Sequence, residues 1–231
     1  MSKSILLIQS IYKHKDIYMI ISTFELLVKP QLPKQNILDR VPNLSNDLKN
    51  KLGQLRRNAI QGYFLTLSNL STRDLLLSLV FTVKNNNDLQ KIVPILDTTG
   101  SDDAFGSLTP TPSPFANKLS FTPLPLVAGD TALFLLQPNF LSFPELLVNT
   151  DFEVRGYVEV FLSSLSPRPL NAAIQVTPEH RGTFYKFPEN DPNTLSQLDQ
   201  YAYSLPVQNG GLLRLFPNIP GVPGSDGFPF P

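Results

Sequence analysis

The sequence contains no cysteine and no tryptophan, and only two of its 231 residues are histidine. Without cysteine there are no disulfides, zinc–thiolate sites, iron–sulfur clusters or cysteine nucleophiles. No G-x-S-x-G elbow is present to position a catalytic serine. His14 lies in a doubtful N-terminal leader, so a Ser–His–Asp constellation would have to use His180. The missing tryptophan lowers the expectation of a sugar-binding cleft, since such clefts often use flat aromatic faces.

Long apolar runs are also missing. No run of 18 apolar residues occurs, so no transmembrane helix is expected. Polar residues at 13–16 interrupt the apolar stretch that follows Lys3, and no small-x-small cleavage site comes after it. We therefore expect no signal peptide, and a cytoplasmic location is favoured. The stretch after Met19 has strand character at once, which suggests a start there and a disordered leader over residues 1–18.

The net charge is zero but unevenly distributed. Residues 1–60 carry ten Lys or Arg and four Asp or Glu, whereas residues 61–231 carry nine and fifteen. One interpretation is an anionic partner for the N-terminal part. The favoured interpretation is that the two parts complement each other, within the fold or between copies. Basic residues scattered among Leu and Asn do not form a basic face, so no nucleic-acid partner is expected.

Proline is abundant, at 22 residues, and breaks helix interiors and central strands. About nine segments of β-type pattern occur at hairpin-like spacings. They predict an all-β, antiparallel two-sheet β-sandwich, immunoglobulin-like or jelly-roll-like, with long Pro-rich loops. We expect one domain over residues 19–216, with one short helix near 45–59. Residues 217–231 are a Pro/Gly-rich tail.

The clearest β pattern lies in residues 60–68 and 74–84. Leu75, Leu77 and the following odd-numbered apolar residues share one face at period two. The polar segment between the two predicts a β-hairpin.

Two weaker patterns follow near the C-terminus. Residues 171–177 and 181–187 are predicted to be separate strands joined by a turn at 178–180. A helical turn is predicted near residues 195–201.

Metal binding has weak support. Asp97, Asp102 and Asp103 lie in a loop and could supply some of the six to eight oxygens that calcium requires. Their spacing does not match an EF-hand, and loops rich in Asp, Gly and Ser are ordinary. No Gly-rich phosphate loop occurs, and no cofactor is expected.

Two regions are predicted to contact a partner. They are the long Pro-rich excursion over residues 97–118 and the polar face of the strand at 152–163. The candidate residues are Phe105 and Phe115 in the excursion, Arg155, Tyr157 and Glu159 on the strand, and His180 at the predicted turn. Arg155 and Glu159, alone or bridged to a neighbouring strand, are predicted to form a surface charge ladder.

These observations favour a non-enzymatic protein-interaction or assembly module, binding another protein or a second copy of itself. A carbohydrate- or calcium-dependent ligand-binding β-sandwich is the alternative. A hydrolase with His180 as its base ranks third.

Overall fold

The structure, a computed structural model, describes residues 19–33, 35–83, 88–98, 100, 104–105, 107–110, 117–163, 172–187 and 196–215. The strands are β1 Met19–Pro30, β2 Asn58–Asn69, β3 Leu75–Val83, β4 Ile92–Asp97, β5 Ala104–Phe105, β6 Thr109–Pro110, β7 Lys118–Leu126, β8 Thr131–Pro138, β9 Phe152–Leu162, β10 Ala172–Lys186, β11 Ser196–Ser204 and β12 Leu212–Leu215. The helices are α1 Gln35–Leu38, α2 Asn46–Leu55 and α3 Leu146–Asn149, with 3₁₀ turns at Leu89–Lys91 and Gln208–Gly211. None of these described helices could cross a bilayer.

The described strands form one antiparallel sheet that curls into a half-barrel. Its main path runs β5-β4-β8-β2-β1-β9-β3-β7-β6, while β10 pairs with β2 and carries β11 and β12. The mainly β, antiparallel class is therefore as predicted. The architecture is a half-barrel rather than an obvious two-sheet sandwich, because hydrogen bonds run continuously from β8 through β2 to β1.

The curl originates at a fork along one edge of β2. Residues 58–61 pair with β1, whereas residues 63–68 pair with β8. The opposite edge of β2 is paired with β10 along its whole length. Because β1 and β8 share one edge, they diverge and enclose the core between them.

A chain of contacting aromatic rings extends through this core from β1 to β7. Phe24 of β1 contacts Phe81 of β3, which stacks on Phe134 of β8, and Phe134 meets Phe121 of β7. The successive centroid distances are 5.6, 5.4 and 5.0 Å. Such pairs contribute about 0.5–1.5 kcal/mol each beyond their buried area, so this chain of contacts ties the diverging walls together.

The Pro-rich excursion connects the two ends of the sheet. β5 pairs with β4 at one end, and β6 pairs with β7 at the other. Phe105 and Thr109 are only four positions apart in the sequence, which limits the gap between these ends to about 14 Å. Leu108, between them, packs against the core.

The predicted hairpin of residues 60–68 and 74–84 is wrong. Both strands exist, but β2 pairs with β1, β8 and β10, and β3 pairs with β7 and β9. The link between β2 and β3 therefore crosses the core instead of folding back. The link from β7 to β8 does the same.

A single buried side chain, Asn69, joins these two crossovers. It is 1% exposed, and its Nδ2 donates to the carbonyls of Arg73 (2.7 Å), Leu126 (3.1 Å) and Val127 (3.2 Å). Its Oδ1 accepts a hydrogen bond from the Ser71 N–H at 2.9 Å. The amide thus satisfies backbone groups of both links, which a tight turn between β2 and β3 would not require.

The predicted turn at 178–180 is also wrong, because β10 runs unbroken through it. The Pro178 carbonyl accepts from the Leu205 N–H at 2.9 Å, so it faces away from β2. The N and C=O of one strand residue face the same edge, so the missing N–H of Pro178 also faces away from β2. On that edge, Pro178 lies between the part of β10 that pairs with β12 and the part that pairs with β11.

The helix and the helical turn need correction as well. α2 begins after the Ser45 cap, whose Oγ accepts from the Leu48 N–H at 3.2 Å, but it ends at Leu55. The segment from Asn58 onward is β2, and none of the α2 residues is buried. Residues 196–204 form β11 instead of a helical turn.

We expect Asn69→Asp to lower the free energy of unfolding by about 3 kcal/mol or more, measured by urea denaturation. Aspartate keeps the acceptor for Ser71 but places a second oxygen against three carbonyls. Asn43→Asp is the matched control, since Asn43 is exposed at φ 64° and should change stability by less than about 0.5 kcal/mol. Equal losses in the two variants would contradict the assigned role of Asn69.

Candidate functional site

A polar cluster occupies the fork where β1 leaves β2. Glu25 of β1 has no strand partner on this side, yet both of its backbone groups are satisfied. Its N–H donates to His180 Nε2 at 3.0 Å, and its carbonyl accepts from Gln61 Nε2 at 3.2 Å. Gln61 and His180 are only 3% and 5% exposed, so two side chains complete the ladder in a place that water does not reach freely.

The directions of these hydrogen bonds determine the tautomer of His180. A backbone N–H can only donate, so Nε2 is the acceptor and the ring proton of neutral His180 lies on Nδ1. Nδ1 lies 2.9 Å from the Tyr203 Oη and donates to it. Tyr203 and Tyr201 then donate to Gln61 Oε1, at 3.3 and 3.1 Å. Every polar atom of the two buried side chains is thereby used.

The cluster reaches the outer surface through the Glu25 carboxylate. Its Oε2 accepts from Gln61 Nε2 at 3.3 Å, and its Oε1 pairs with Arg155 Nε at 2.5 Å. Arg155 also pairs with Glu153 at 2.6 Å, and Glu153 pairs with Lys29. Alternating charges on β1 and β9 therefore lead from solvent to the buried network.

Burial sets the protonation states of the cluster. It lowers the pKa of His180, an effect that the nearby Glu25 carboxylate partly offsets. Burial raises the pKa of Tyr201 to about 12, with further contributions from Tyr203 and Glu25. The pKa of Tyr203 is raised by the same burial and by Glu25. At neutral pH the ring of His180 is uncharged and both tyrosines keep their protons, as the network requires.

The packing of Tyr201 depends on a glycine in the neighbouring strand. Tyr201 lies opposite Gly182 of β10, and a Cβ at Gly182 would lie 2.3 Å from the tyrosine Cζ. The ring also packs against Phe184 with a centroid distance of 4.9 Å. Tyr201 is thus fixed by close approach to β10 on the inner side of the sheet.

Two of the predicted interaction residues, Arg155 and His180, meet at this site through Glu25. His180 lies within a strand and not at a turn. Tyr157 is half-buried and pairs with Thr23 of β1, outside the network.

The predicted surface charge ladder exists at Arg155, but it does not include Glu159. Arg155 pairs with Glu25 and Glu153, whereas Glu159 is 2% exposed and pairs with Lys118 at 3.0 Å. Glu25 lies on the adjacent strand β1, Glu153 is two positions from Arg155 on β9, and Lys118 reaches Glu159 from β7, across β3. Four positions along a strand span about 13 Å, so Arg155 and Glu159 pair with these groups and not with each other.

The predicted calcium and excursion residues are only partly described. Asp97 ends β4, and its Oδ1 accepts from the Gly100 N–H at 2.6 Å. The backbone of Phe105 belongs to β5, while Asp102, Asp103 and Phe115 lie outside the described residues. Among the residues that the structure describes, no group of three or more His, Asp or Glu could hold a metal ion.

Sequence reasoning missed four members of the cluster: Glu25, Gln61, Tyr201 and Tyr203. The alternation Tyr201-x-Tyr203 is a strand signal that the helical interpretation of this segment concealed. For Gln61 there was a second signal, a polar residue on the apolar face of a clear strand. Such a residue needs buried hydrogen-bond partners.

A shallow groove of about 540 Å³ crosses the outer face of the sheet behind the cluster. Gly62 lies in its floor, and Gln137 and Gln200 border it. Of the two aromatic residues that line it, Phe64 has its ring covered by the Arg181 guanidinium at 4.7 Å, and Tyr201 is held by its hydroxyl to Gln61 and packs on Phe184. The carbohydrate alternative therefore gains little from this groove and stays a prediction.

Comparison with known proteins gives no family. No protein-family model matches the chain, and no curated protein matches it. A solved structure described as "AvmM Catalyzes Macrocyclization in Alchivemycin A Biosynthesis" is similar over 64% of this chain and 79% of its own. The identity is 10% and the TM-score 0.20, so nothing about activity is transferred to this chain.

We expect the stability of the protein to decrease as the pH falls below about 6.5, the ordinary histidine value. The folded pKa of His180 is lowered, so the unfolded chain takes up the proton first and is favoured by acid. The contribution is complete above the unfolded pKa and is lost progressively below it. Urea unfolding measured between pH 5 and 7 reports this slope.

His180→Gln should reduce that slope, while His14→Gln, which removes the other histidine, should leave it unchanged. A wild-type slope in His180→Gln would show that His180 does not titrate in this range.

Proposed function

We propose that the protein is a non-enzymatic interaction module that binds an extended segment of a protein partner along the free edge of β11. The carrying observation is that β11, nine residues long, pairs with β10 on one edge and with no described strand on the other. An unpaired strand edge presents a row of N–H and C=O groups to which another strand can add.

The ladder identifies which backbone groups are free. The Leu205 N–H donates to the Pro178 carbonyl, so these two residues form a hydrogen-bonded pair. Hydrogen-bonded and non-hydrogen-bonded pairs alternate in an antiparallel ladder, which directs the odd-numbered residues 199–203 towards β10. Gln200, Ala202 and Ser204 therefore direct their N–H and C=O groups outward.

The other described edge strands are less suited to strand addition. β5 and β6 contain two residues each, and β12 contains four. β7 carries Pro123 and Pro125, which have no N–H to donate. β11 contains no proline and a single charged residue, Asp199, and its bulge is confined to the segment between Ser196 and Asp199. From Gln200 to Ser204 the edge therefore carries no charge, proline or bulge to block it.

β11 is also held in position before any partner arrives. The Tyr201 and Tyr203 hydroxyls bind Gln61, and Asp199 pairs with Arg57 at 3.6 Å. Meanwhile Leu198 and Tyr203 remain 60% and 47% exposed. A rigid edge loses little entropy on binding, and exposed apolar side chains on both faces of the strand add contact area to the backbone hydrogen bonds.

The chemistry of His180 supports binding over catalysis. Both ring nitrogens are engaged, by the Glu25 N–H and the Tyr203 hydroxyl, and the ring is 5% exposed. A general base must reach the proton that it removes. A hydrolase based on His180 would have to break the hydrogen bonds that complete the β1 ladder.

A random peptide library displayed on phage tests the proposal. We expect selected peptides to bind in an extended form and to slow hydrogen exchange of the Gln200, Ala202 and Ser204 amides at least tenfold. In the protein, Gln200→Pro should weaken their binding at least tenfold, because it removes an outward N–H without removing a bond to β10.

Arg214→Pro is the matched control, since the ladder of β12 with β10 also directs the Arg214 N–H outward. Both variants are compared at equal folded fraction, checked by thermal unfolding. Peptides that protect another surface and leave the β11 amides unchanged would refute the proposal.

A further inference from the structure

We propose that the partner strand is β11 of a second copy of this chain, paired antiparallel with Gln200 opposite Gln200. This inference rests on the proposed function, since it specifies what the free β11 edge binds. The product is a two-fold symmetric dimer in which one continuous sheet passes from β10 and β11 of one copy to β11 and β10 of the other.

The register follows from the length and alternation of the strand. Gln200 is the middle residue of Ser196–Ser204, so this register overlaps the two strands completely. From Asp199 to Ser204 the alternation is regular, so the outward-directed Gln200 faces Gln200, while Ala202 faces Leu198, which lies in the bulge of β11. The facing Gln200 residues can form two hydrogen bonds, and the outward groups of Ala202 in each copy lie next to Leu198 of the other.

The side chains are complementary in this register. Leu198, 60% exposed, meets Ala202 of the second copy, so a large apolar group lies beside a small one. The only charged residue of the strand, Asp199, lies opposite Tyr201 of the second copy instead of opposite Asp199. Like charges directly opposite would be destabilising, and this arrangement avoids them.

Charge favours a second copy over a charged peptide. Asp199 already has Arg57 as its partner, at 3.6 Å, and the other eight residues of β11 are neutral. The edge therefore offers no unmatched charge with which to select a basic or acidic segment. The chain as a whole has zero net charge, so two copies do not repel each other at long range.

Absence of cysteine makes a direct test possible, because one introduced thiol is unique in the chain. In Gln200→Cys the two thiols lie on facing residues, whose Cα atoms are about 5.5 Å apart. In Ala202→Cys the two thiols lie four residues apart along the strand, about 14 Å. A bismaleimide shorter than that distance should join Gln200→Cys into a covalent dimer at least tenfold faster than Ala202→Cys.

A mixture of Leu198→Cys and Ala202→Cys should give the crosslinked heterodimer, because these residues face each other. Sedimentation equilibrium of the cysteine-free protein should show a monomer–dimer equilibrium in which the dimer fraction rises with protein concentration. Gln200→Pro should weaken this association at least tenfold, and Arg214→Pro should not.

Three results would overturn the inference: a monomer at every concentration up to the millimolar range, equal crosslinking of Gln200→Cys and Ala202→Cys, or wild-type association of Gln200→Pro. The proposed function fails separately. A monomeric protein whose β11 amides are protected by selected peptides keeps the strand-addition function and loses only the second copy as the partner.

Discussion

The backbone of Glu25 loses its strand neighbour where β2 changes partner from β1 to β8, and two side chains replace that neighbour. Gln61 donates to the Glu25 carbonyl and His180 accepts from the Glu25 N–H. Unpaired buried backbone groups would cost about 1–3 kcal/mol each, so the fork needs this replacement to be stable. The divergence of β1 and β8, and with it the curl of the sheet, depends on these hydrogen bonds.

The same hydrogen bonds connect the core to the edge that is proposed to bind. Gln61 and His180 are held from the other side by Tyr201 and Tyr203, so β11 is attached to the fork through its inner face. That attachment, together with the ladder to β10, leaves the outward backbone groups of β11 available. β11 is thus a rigidly held strand with an edge that no described strand pairs, the combination that strand addition requires.

Local pattern was sufficient to predict most of the strands but not how they pair. Alternating apolar residues identified β2, β3 and β9, because the period of two depends only on neighbours in the sequence. The crossover after β2 depends on Asn69 reaching Leu126 and Val127, 57 and 58 residues away. The unbroken course of β10 through Pro178 depends on which edge lies next to β11 and β12. Neither the Asn69 hydrogen bonds nor the strand pairing around Pro178 can be read from the pattern of neighbouring residues.

The candidate site was predictable only in part for the same reason. His180 and Arg155 drew attention as isolated chemical groups, but Glu25 and His180 are 155 residues apart in sequence. Gln61 was hidden in an apolar strand, and Tyr201 lay at the end of a segment predicted to be a helical turn. The network exists because the topology brings β1, β2, β10 and β11 together, which no short window of sequence contains.

The most direct test of this account is the tautomer of His180, read from the ¹⁵N shifts and long-range proton couplings of its imidazole ring at pH 7. The account predicts a neutral ring with the proton on Nδ1 and an unprotonated Nε2, whose acceptor role is seen as a coupling to the Glu25 amide. A ring protonated on Nε2, or a charged ring, would contradict it. Nε2 could then not accept the hydrogen bond from the Glu25 N–H, and that backbone group would have no partner at the fork.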